Sequence, residues 1–430
     1  MDDLARAVDD DPRPWSLPRR LGFRFVFAYL LIYNLPFLFW ALPGLEWLDK
    51  GWSKAKDAFL LWIAEDVLRL GSGFRTGPNG SGDTVLDYVA LPTTAALALL
   101  VVIAWSIAQR RATSHPRAYE VLRVFLRYCL AATMLGYGLM KVFHRQFPFP
   151  ADARLGVTYG DSSPMGLLWT FMGYSGAYNV FTGGAEVVGG LLLLWRRTTM
   201  LGALVLVAVM ANVVMLNFCY DVPVKLYSSH LLLMSVFLVG PDLRRLVDVL
   251  VLHRPTAPPP ARRRHHIRWI EWTRRGVKTA FIAWILYDGI HGYLKAEKKA
   301  AAATPAEIEG SWFVDGFVAD GVEAPLVLGD PLRWKTVGVT PSSARIGFMD
   351  DSSRRYAAKI DAKEHRLETT DFTHPANDVM TYSVIDHDHV RLEGTFEQRA
   401  LRVELRRAKP RTYLLVTRGF HWVNEVPFSR

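Results

Sequence analysis

Cysteine is scarce in this chain: its 430 residues include two, Cys129 and Cys219. Their spacing fits no disulfide framework or metal site, and no Cys-x-x-Cys pair is present. We therefore expect two buried thiols that pack as small apolar groups. The sequence also lacks a Gly-rich phosphate loop and a histidine pair at haem-ligand spacing on one helix face. A haem or iron–sulfur centre within this chain is not expected.

The sequence also lacks the pattern of a cleavable signal peptide at its N-terminus and apolar runs of membrane length in its C-terminal part. Residues 1–20 contain three consecutive aspartates and no apolar core. Apolar runs of membrane length recur through residues 21–296, but residues 306–430 contain none. The sequence therefore predicts a short N-terminal segment, a helical membrane domain over 21–296, a linker over 297–305 and a soluble C-terminal domain over 306–430.

The net charge of +10 does not require a nucleic-acid partner, and none is expected. Much of the positive charge lies in short links between apolar runs, and the arginines favour alternate links, as the positive-inside rule arranges them. This pattern predicts a bacterial inner-membrane protein with a cytoplasmic N-terminus and a periplasmic C-terminal domain. The run Arg262–Arg264 is interpreted as a topology determinant, with binding of anionic lipid as the alternative.

About seven transmembrane helices are predicted in this all-α bundle. Gly51–Leu70 carries too many charges to span and is predicted to lie on the membrane surface. Met165–Tyr174 is too short to span, so it is either re-entrant or part of a long fourth helix. The predicted spans are Leu21–Ala41, Val85–Ala108, Tyr119–Phe143, Ala177–Trp195, Met200–Phe218, Ser229–Leu250 and Val277–Leu294.

The stretch Asn217–His230 links two apolar helices and is the centre of the predicted site. Ionisable groups at the membrane boundary are costly to place, which makes them candidates for a functional role. The predicted topology brings other polar side chains to the same depth. The candidate catalytic residues are Lys141, Glu186, Asp221, Lys225 and His230, and the candidate cofactor-binding residues are Tyr137, His144 and Asn217. The alternative is a solvated turn with one local ion pair.

Glu186 lies near the middle of the predicted fourth helix, between Gly183-Gly184 and Gly189-Gly190. Small residues at that spacing let helices approach closely. An isolated buried carboxylate is costly, and Lys141 is the predicted partner. Lysine and histidine beside acidic groups suit a quinone carbonyl and its protons, an anionic head group, or acid–base chemistry. The alternative is that Glu186–Lys141 and Asp221–Lys225 are packing ion pairs that fix helix register.

Residues 119–250 resemble the DoxX family of four-helix membrane proteins. The resemblance rests on Arg123-Val-Phe-Leu-Arg leading to Gly136-Tyr-Gly-Leu-Met-Lys141, on Gly184 to Arg196, and on Leu231–Val239 closing on Gly240-Pro241-Asp242. It implies a membrane subunit of a quinol- or thiosulfate-linked oxidoreductase, with a redox partner protein. The ionisable stretch Asn217–His230 departs from the plain family pattern and leaves room for other chemistry, such as that of membrane carboxylases.

The leading functional hypothesis is thus a quinone-linked redox subunit with an outward-facing polar pocket. A non-enzymatic protein that binds or transfers a lipid or apolar metabolite is the main alternative, and a structural assembly factor is the third. The lipid bilayer is the expected partner in all three cases. The residues alone do not name a cofactor beyond this possible quinone.

The C-terminal region changes to short runs of period two separated by turn residues, which predicts a small all-β antiparallel barrel. The last predicted strand covers Thr412–Thr417. Gly310-Ser311-Trp312 resembles the Gly-x-Trp opening of lipocalins, which implies a basic residue over the tryptophan, here Arg418. Such a barrel either holds an apolar ligand or is filled by its own side chains, and the filled form is expected. The turn Asp386–His389 is interpreted as a solvated hairpin tip, with a metal site as the alternative.

Overall fold

The computed structural model describes residues 14–41, 44–77, 80–256, 268–302, 305–371, 377–408, 413–423 and 425. The predicted basic run Arg262–Arg264 and its prolines lie outside these residues. The chain divides into two compact units, one of residues 1–147 and 175–291 and the other of 148–174 and 292–430. The segment after the predicted third helix, residues 148–174, thus belongs with the C-terminal domain.

The helices are numbered here along the chain. They are α1 (Leu17–Tyr33), α2 (Leu35–Ala41), α3 (Glu46–Trp62), α4 (Val85–Ala108), α5 (Pro116–Val142), α6 (Pro164–Tyr174), α7 (Gly176–Leu194), α8 (Thr199–Cys219), α9 (Lys225–Val239), α10 (Leu243–Leu250) and α11 (Arg268–Ala302). A π-helical turn, Ile63–Val67, extends α3 in the region predicted to lie on the membrane surface.

Four helices are long and apolar enough to cross a membrane: α4, α7, α8 and the continuous stretch Lys225–Leu250 that contains α9 and α10. They coincide with four of the predicted spans and give the helical half the character of a membrane domain. Apolar side chains from α5, α7, α8 and α9 fill its centre. Leu126, Leu135, Leu193, Leu206 and Leu238 are all fully buried there.

The first predicted span, Leu21–Ala41, is not continuous. The helix ends at Tyr33, and α2 begins at Leu35 with Pro36 as its second residue. Proline disfavours the helical conformation in the residue before it, and it has no backbone N–H to donate to the preceding turn. A new helix therefore begins here, because the first residues of a helix need no such donor. The side-chain amide of Asn34 donates to the carbonyl of Leu30 at 2.8 Å, which satisfies one backbone oxygen at the break.

The helices of the first unit alternate in direction, so their termini gather at two ends. We call the end that contains Tyr33, Val142, Gly176 and Lys225 the site end. Contacts between α1 and α9, and between the residues just before α4 and α9, place those termini together. The other end, which contains Pro116 and Leu194, is called the arginine end.

The two cysteines differ in exposure. Cys129 on α5 is buried, as the sequence predicts. Cys219 is the last residue of α8 and is exposed, so the expectation of a buried thiol is wrong there. The helix ends at this residue, and the side chain therefore has no facing helix to cover it.

The C-terminal domain is a closed antiparallel β-barrel, as predicted. Its strands are β1 (Gly310–Ala319), β2 (Val322–Glu323), β3 (Trp334–Thr340), β4 (Ser343–Phe348), β5 (Ser353–Asp361), β6 (Arg366–Asp371), β7 (Asn377–Val384), β8 (His389–Phe396) and β9 (Arg399–Arg407). Strands β3 to β9 pair in sequence order, and β1 pairs with both β3 and β9 to close the ring. The two-residue strand β2 pairs only with the end of β1.

Alternate residues of each strand point inward and fill the barrel. Trp312, Trp334, Tyr356 and Phe396 are buried at its centre, and the ring of Trp334 lies 4.9 Å from that of Phe396. The interior is thus occupied by the domain's own side chains, as expected for a barrel of this size. The predicted strand Thr412–Thr417 is wrong: Leu414–Thr417 forms a short helix, and β1 provides the strand that closes the ring.

A basic residue does cover the tryptophan of the Gly-x-Trp motif, but it is not Arg418. The guanidinium carbon of Arg407, on β9, lies 4.3 Å from the ring centre of Trp312. Arg407 also donates to the backbone carbonyls of Glu307 and Glu309 at 3.1 and 3.3 Å. Since β9 is the strand that pairs with β1, residue 407 is in register with Trp312.

Substitution of Arg407 with methionine should lower the stability of the barrel by about 1–2 kcal/mol, because both the cation–π contact and the hydrogen bonds are lost. Thermal unfolding of the full-length protein, followed by tryptophan fluorescence, measures this change. The matched variant Arg418→Met should change stability by less than about 0.5 kcal/mol. Equal effects of the two substitutions would contradict the assignment.

The turn Asp386–His389 is a hydrogen-bonded hairpin tip. The carboxylate of Asp386 accepts from the backbone N–H of Asp388 at 2.8 Å and lies 2.9 Å from the His389 ring. These two partners, the N–H first, hold the pKa of Asp386 below its ordinary value. Among the described residues, no group of three or more potential ligands is arranged to hold a metal ion.

Candidate functional site

Helices α5 and α7 approach each other closely along a line of glycines. A Cβ placed on Gly138 would lie 2.7 Å from the carbonyl oxygen of Gly183, and one placed on Gly183 would lie 2.6 Å from that of Gly138. Gly190 continues this line, where a Cβ would lie 3.1 Å from the Ala131 carbonyl. Gly184, by contrast, has open space beside it, so it is not part of the contact predicted from the Gly183-Gly184 pair.

The ion pair predicted between Lys141 and Glu186 lies in this helix contact. The ammonium nitrogen of Lys141 is 2.7 and 2.8 Å from the two carboxylate oxygens of Glu186. Lys141 is 7% exposed and Glu186 is 2% exposed. Glu186 is ten residues into α7, or about 15 Å along the helix from its start. Lys141 belongs to the last turn of α5, at the site end. Its long side chain extends from there along the helix contact, so that the ammonium group reaches Glu186.

Asn179 is fully buried on the same face of α7, two helical turns before Glu186. Its side-chain N–H donates to the carbonyl of Phe147 at 3.0 Å. Its side-chain oxygen is buried and has no hydrogen-bond donor in the part of the chain that the structure describes. An unsatisfied buried acceptor is costly, so this oxygen is a natural contact for a donor group of a ligand.

Two tyrosines continue the polar cluster from Lys141 towards α9. The ring centre of Tyr137, one turn before Lys141, is 5.9 Å from the lysine nitrogen. The same ring lies 6.3 Å from that of Tyr227 on α9. The candidate residues on α5 and α9 are therefore linked by aromatic side chains that carry hydroxyl groups.

His230 is buried on α9 beside two tyrosines from α1. Its Nε2 lies 2.8 Å from the hydroxyl of Tyr29, and its ring stacks on Tyr33 with 3.9 Å between the ring centres. Its Nδ1 lies 2.7 Å from the carbonyl oxygen of Leu226. Because a carbonyl oxygen only accepts, Nδ1 must carry the proton, so Nε2 accepts the hydrogen bond from Tyr29.

The turn between α8 and α9 is held by a buried amide and a buried carboxylate. Asn217 donates from its side-chain amide to the hydroxyl of Ser228 at 3.0 Å. The carboxylate of Asp83, just before α4, accepts the backbone N–H groups of Lys225 and Leu226 at 2.8 and 3.0 Å. A carboxylate in this position caps the N-terminus of α9 and complements the helix dipole.

Asp221 and Lys225 form the ion pair that the sequence suggests, at 2.8 Å, but this pair lies at the surface. The side chain of Asp221 is 83% exposed. Lys225 is also 3.8 Å from the carboxylate of Asp83. This pair fits the alternative of a solvated turn with a local ion pair, and in the described part of the chain it shares no partner with Lys141–Glu186.

His144 terminates α5 instead of entering the buried cluster. It has a positive φ of 54°, and its N–H donates to the Lys141 carbonyl at 2.9 Å. Its ring contacts the carbonyl of Gly176 at the start of α7, at 3.2 Å. A residue in this left-handed conformation ends a helix. His144 therefore fixes the loop beside Lys141.

The structure thus brings together Lys141, Glu186 and Tyr137, and separately joins His230 to α1. Sequence reasoning missed Tyr29, Tyr33, Asp83, Asn179 and Tyr227. Tyr29 and Tyr33 are four residues apart in an aromatic-rich helix, which places both on one face. Asp83 precedes the capping sequence Thr84-x-x-Asp87, and Asn179 shares the spacing of Gly183 and Glu186. These patterns are visible in the sequence, but they do not identify the partners.

Comparison with known proteins adds one relative without an assigned activity. No protein-family model matches the chain. No solved structure matches it either. The uncharacterized protein YwoB of Bacillus subtilis (strain 168) is 34% identical over 128 residues, which are 29% of this chain and 78% of that protein. The chain therefore belongs, through this region, to the same family as YwoB.

Proposed function

We propose that the helical unit is a quinone-linked redox subunit that binds a quinone or quinol head group at the site end. The observation that carries this proposal is the buried histidine that accepts a hydrogen bond from one tyrosine and stacks on the ring of a second. This arrangement combines flat apolar surfaces with groups that transfer protons. Both properties suit a head group that is aromatic and that gains or loses protons with its electrons.

Oxidation of a quinol releases two electrons and two protons. Nε2 of His230 is the basic atom in the cluster, because Nδ1 is held by the Leu226 carbonyl. In the proposed reaction, a quinol hydroxyl donates a hydrogen bond to the oxygen of the Tyr29 hydroxyl, whose own proton faces Nε2 of His230. The imidazole takes one proton through the Tyr29 hydroxyl, the second proton passes to water at the site end, and the two electrons leave to a redox centre on a partner protein.

Lys141 and Glu186 supply the second part of the proposed site. Their opposite charges attract each other, which offsets part of the cost of burying them in an apolar surrounding. The unsatisfied oxygen of Asn179 lies two turns away on the same helix face and suits a quinol hydroxyl as donor. Tyr137 and Tyr227 connect this region with α9, so a proton released near Glu186 has hydroxyl groups along its route to the site end.

The resemblance of residues 119–250 to the DoxX family also supports a redox role, since that family is associated with quinol-linked oxidoreductases. The placement of arginines supports an orientation in which the arginine end faces the cytoplasm and the site end and barrel face the periplasm. The side chains that fill the barrel favour the helical unit over the barrel as the ligand-binding part. This weakens the alternative of a carrier that holds a lipid in its barrel.

The test is mass spectrometry of small molecules extracted from the protein after gentle purification from quinone-containing membranes. A quinone in stoichiometric amount is expected. The variant Tyr29→Phe keeps the ring and removes the hydroxyl. It should retain less quinone, because one hydrogen bond contributes about 0.5–1.5 kcal/mol and its loss weakens binding about 2- to 12-fold. Tyr159→Phe, at an exposed tyrosine of the other unit, is the matched control and should leave the quinone content unchanged.

A phospholipid or another apolar molecule in place of the quinone would contradict the redox proposal and favour a lipid-binding function. Equal quinone content in wild type, Tyr29→Phe and a His230→Leu variant would also contradict it, provided that all three proteins elute as folded monodisperse species. The visible spectrum of the same preparations detects any chromophore that accompanies the quinone.

A further inference from the structure

We propose that the arginine end carries a binding site for the phosphate of an anionic phospholipid, formed by Arg123, Arg127, Arg196 and Lys278. These four cations come from α5, from the residue after Trp195 at the end of α7, and from α11. The site is separate from the proposed quinone site and does not depend on it.

The cations converge on the C-terminus of α7. Arg127 donates from Nε and one terminal nitrogen to the carbonyl of Leu193 at 3.0 and 2.8 Å. Arg123 lies about one helical turn before Arg127 on α5, Arg196 follows Leu193 by three residues, and Lys278 lies against the ring of Trp195. The Leu193 carbonyl satisfies two of the five N–H donors of Arg127. The remaining donors and the other three cations form a concentration of positive charge.

Among the described residues, one carboxylate lies within 4 Å of these four cations. Glu120 is the carboxylate that approaches Arg123, at 3.9 Å, which is too long for a hydrogen bond. The Nε of Arg123 is buried and has no hydrogen-bond partner in the described part of the chain. Like charges repel, so an anion bound among these cations would stabilise the arrangement. A phosphate group supplies the negative charge, and its oxygens accept hydrogen bonds from several N–H donors, including Nε of Arg123.

The position of the cluster identifies a lipid as the source of that phosphate. Lys278 lies 4.4 Å from the ring centre of Trp195, and half of that tryptophan is exposed. Exposed tryptophans with basic neighbours at the end of a spanning helix mark the level of lipid head groups. About two turns further along the same helices, Val188 of α7 and Trp284 of α11 are exposed apolar side chains that suit acyl chains.

The experiment is a titration of the detergent-purified full-length protein with phosphatidylglycerol, with thermal stability as the readout. The variant Arg196→Gln/Lys278→Gln removes two cations and leaves Arg127 on its carbonyl. Because two direct charge-assisted contacts to the phosphate are lost, the half-saturating lipid concentration should rise about 25-fold. The control Arg110→Gln/Arg111→Gln removes the same charge from exposed residues after α4. It should change the half-saturating lipid concentration by less than about threefold.

The proposal would be overturned if phosphatidylcholine or inorganic phosphate alone stabilised the wild-type protein as much as phosphatidylglycerol does. It would also be overturned if both double variants bound phosphatidylglycerol equally weakly, or if phosphatidylglycerol did not stabilise the wild type at all. The experiment with inorganic phosphate distinguishes binding of a free anion from binding of a lipid. The control variant distinguishes a defined site from general attraction between a basic protein and an anionic lipid. If the double variant does not fold, native mass spectrometry of the wild type decides the question. Preferential retention of phosphatidylglycerol from an equimolar mixture with phosphatidylcholine is then the expected result, and equal retention contradicts it.

Discussion

Replacement of Lys141 with methionine is expected to destabilise the helical unit by about 3–5 kcal/mol, because it leaves the Glu186 carboxylate buried without its partner. Both oxygens of this carboxylate are bound to the lysine nitrogen, and the side chain is 2% exposed. Unfolding by a denaturing detergent, followed by circular dichroism, measures the loss. Lys225→Met is the matched control, since its partner Asp221 is exposed, and it should cost less than about 1 kcal/mol.

The double variant Lys141→Met/Glu186→Leu separates the structural role of this pair from the functional one. Removal of both charges leaves no unpaired group, so most of the lost stability should return. If it returns and the protein still binds quinone at wild-type affinity, the pair fixes helix packing and has no part in the proposed site. If the single variant Lys141→Met is as stable as Lys225→Met, the pair is not buried as described.

Alanine at Gly183 is expected to destabilise the protein by at least about 1–3 kcal/mol, whereas alanine at the adjacent Gly184 should stabilise it by about 0.5–1 kcal/mol. The new methyl group at position 183 would lie 2.6 Å from the Gly138 carbonyl and 2.7 Å from Cβ of Lys141, so the helices must separate. At position 184 there is open space, and alanine simply favours the helix.

The partner position gives an independent check of the same contact. Gly138→Ala should be as damaging as Gly183→Ala, and Gly136→Ala, which meets no neighbouring atom, should not destabilise. The same unfolding assay compares all four variants. Similar stability of Gly183→Ala and Gly184→Ala would mean that α5 and α7 do not approach as closely as described here.

The sequence allowed part of this architecture to be predicted, and the reasons differ between its parts. The pairing of Lys141 with Glu186 was predictable, because a buried carboxylate in a glycine-rich helix needs a cation and Lys141 ends the preceding span. The barrel was predictable from its period of two. Both inferences use patterns within short stretches of chain, where spacing determines which residues share a face.

The parts that were missed depend on contacts between distant stretches. Tyr29 and His230 are 201 residues apart, and no periodicity relates α1 to α9. Arg407 replaces Arg418 over Trp312 because strand register decides which residue faces the tryptophan, and the sequence does not give that register. Leu414–Thr417 formed a helix where a strand was predicted, since a short apolar run suits either structure. The break at Asn34 reflects the placement of Pro36, whose effect in a membrane helix depends on its neighbours.

Closure of the barrel by its first and last strands has a consequence for protein synthesis. Val314 on β1 pairs with Leu405 on β9, so the ring stays open until nearly all of the domain has been made. During translation, β1 and the growing edge of the sheet expose unpaired backbone groups that favour aggregation. The membrane helices can insert one after another while the barrel folds last. A chain that is cut short before β9 would therefore keep its helices but present two open strand edges.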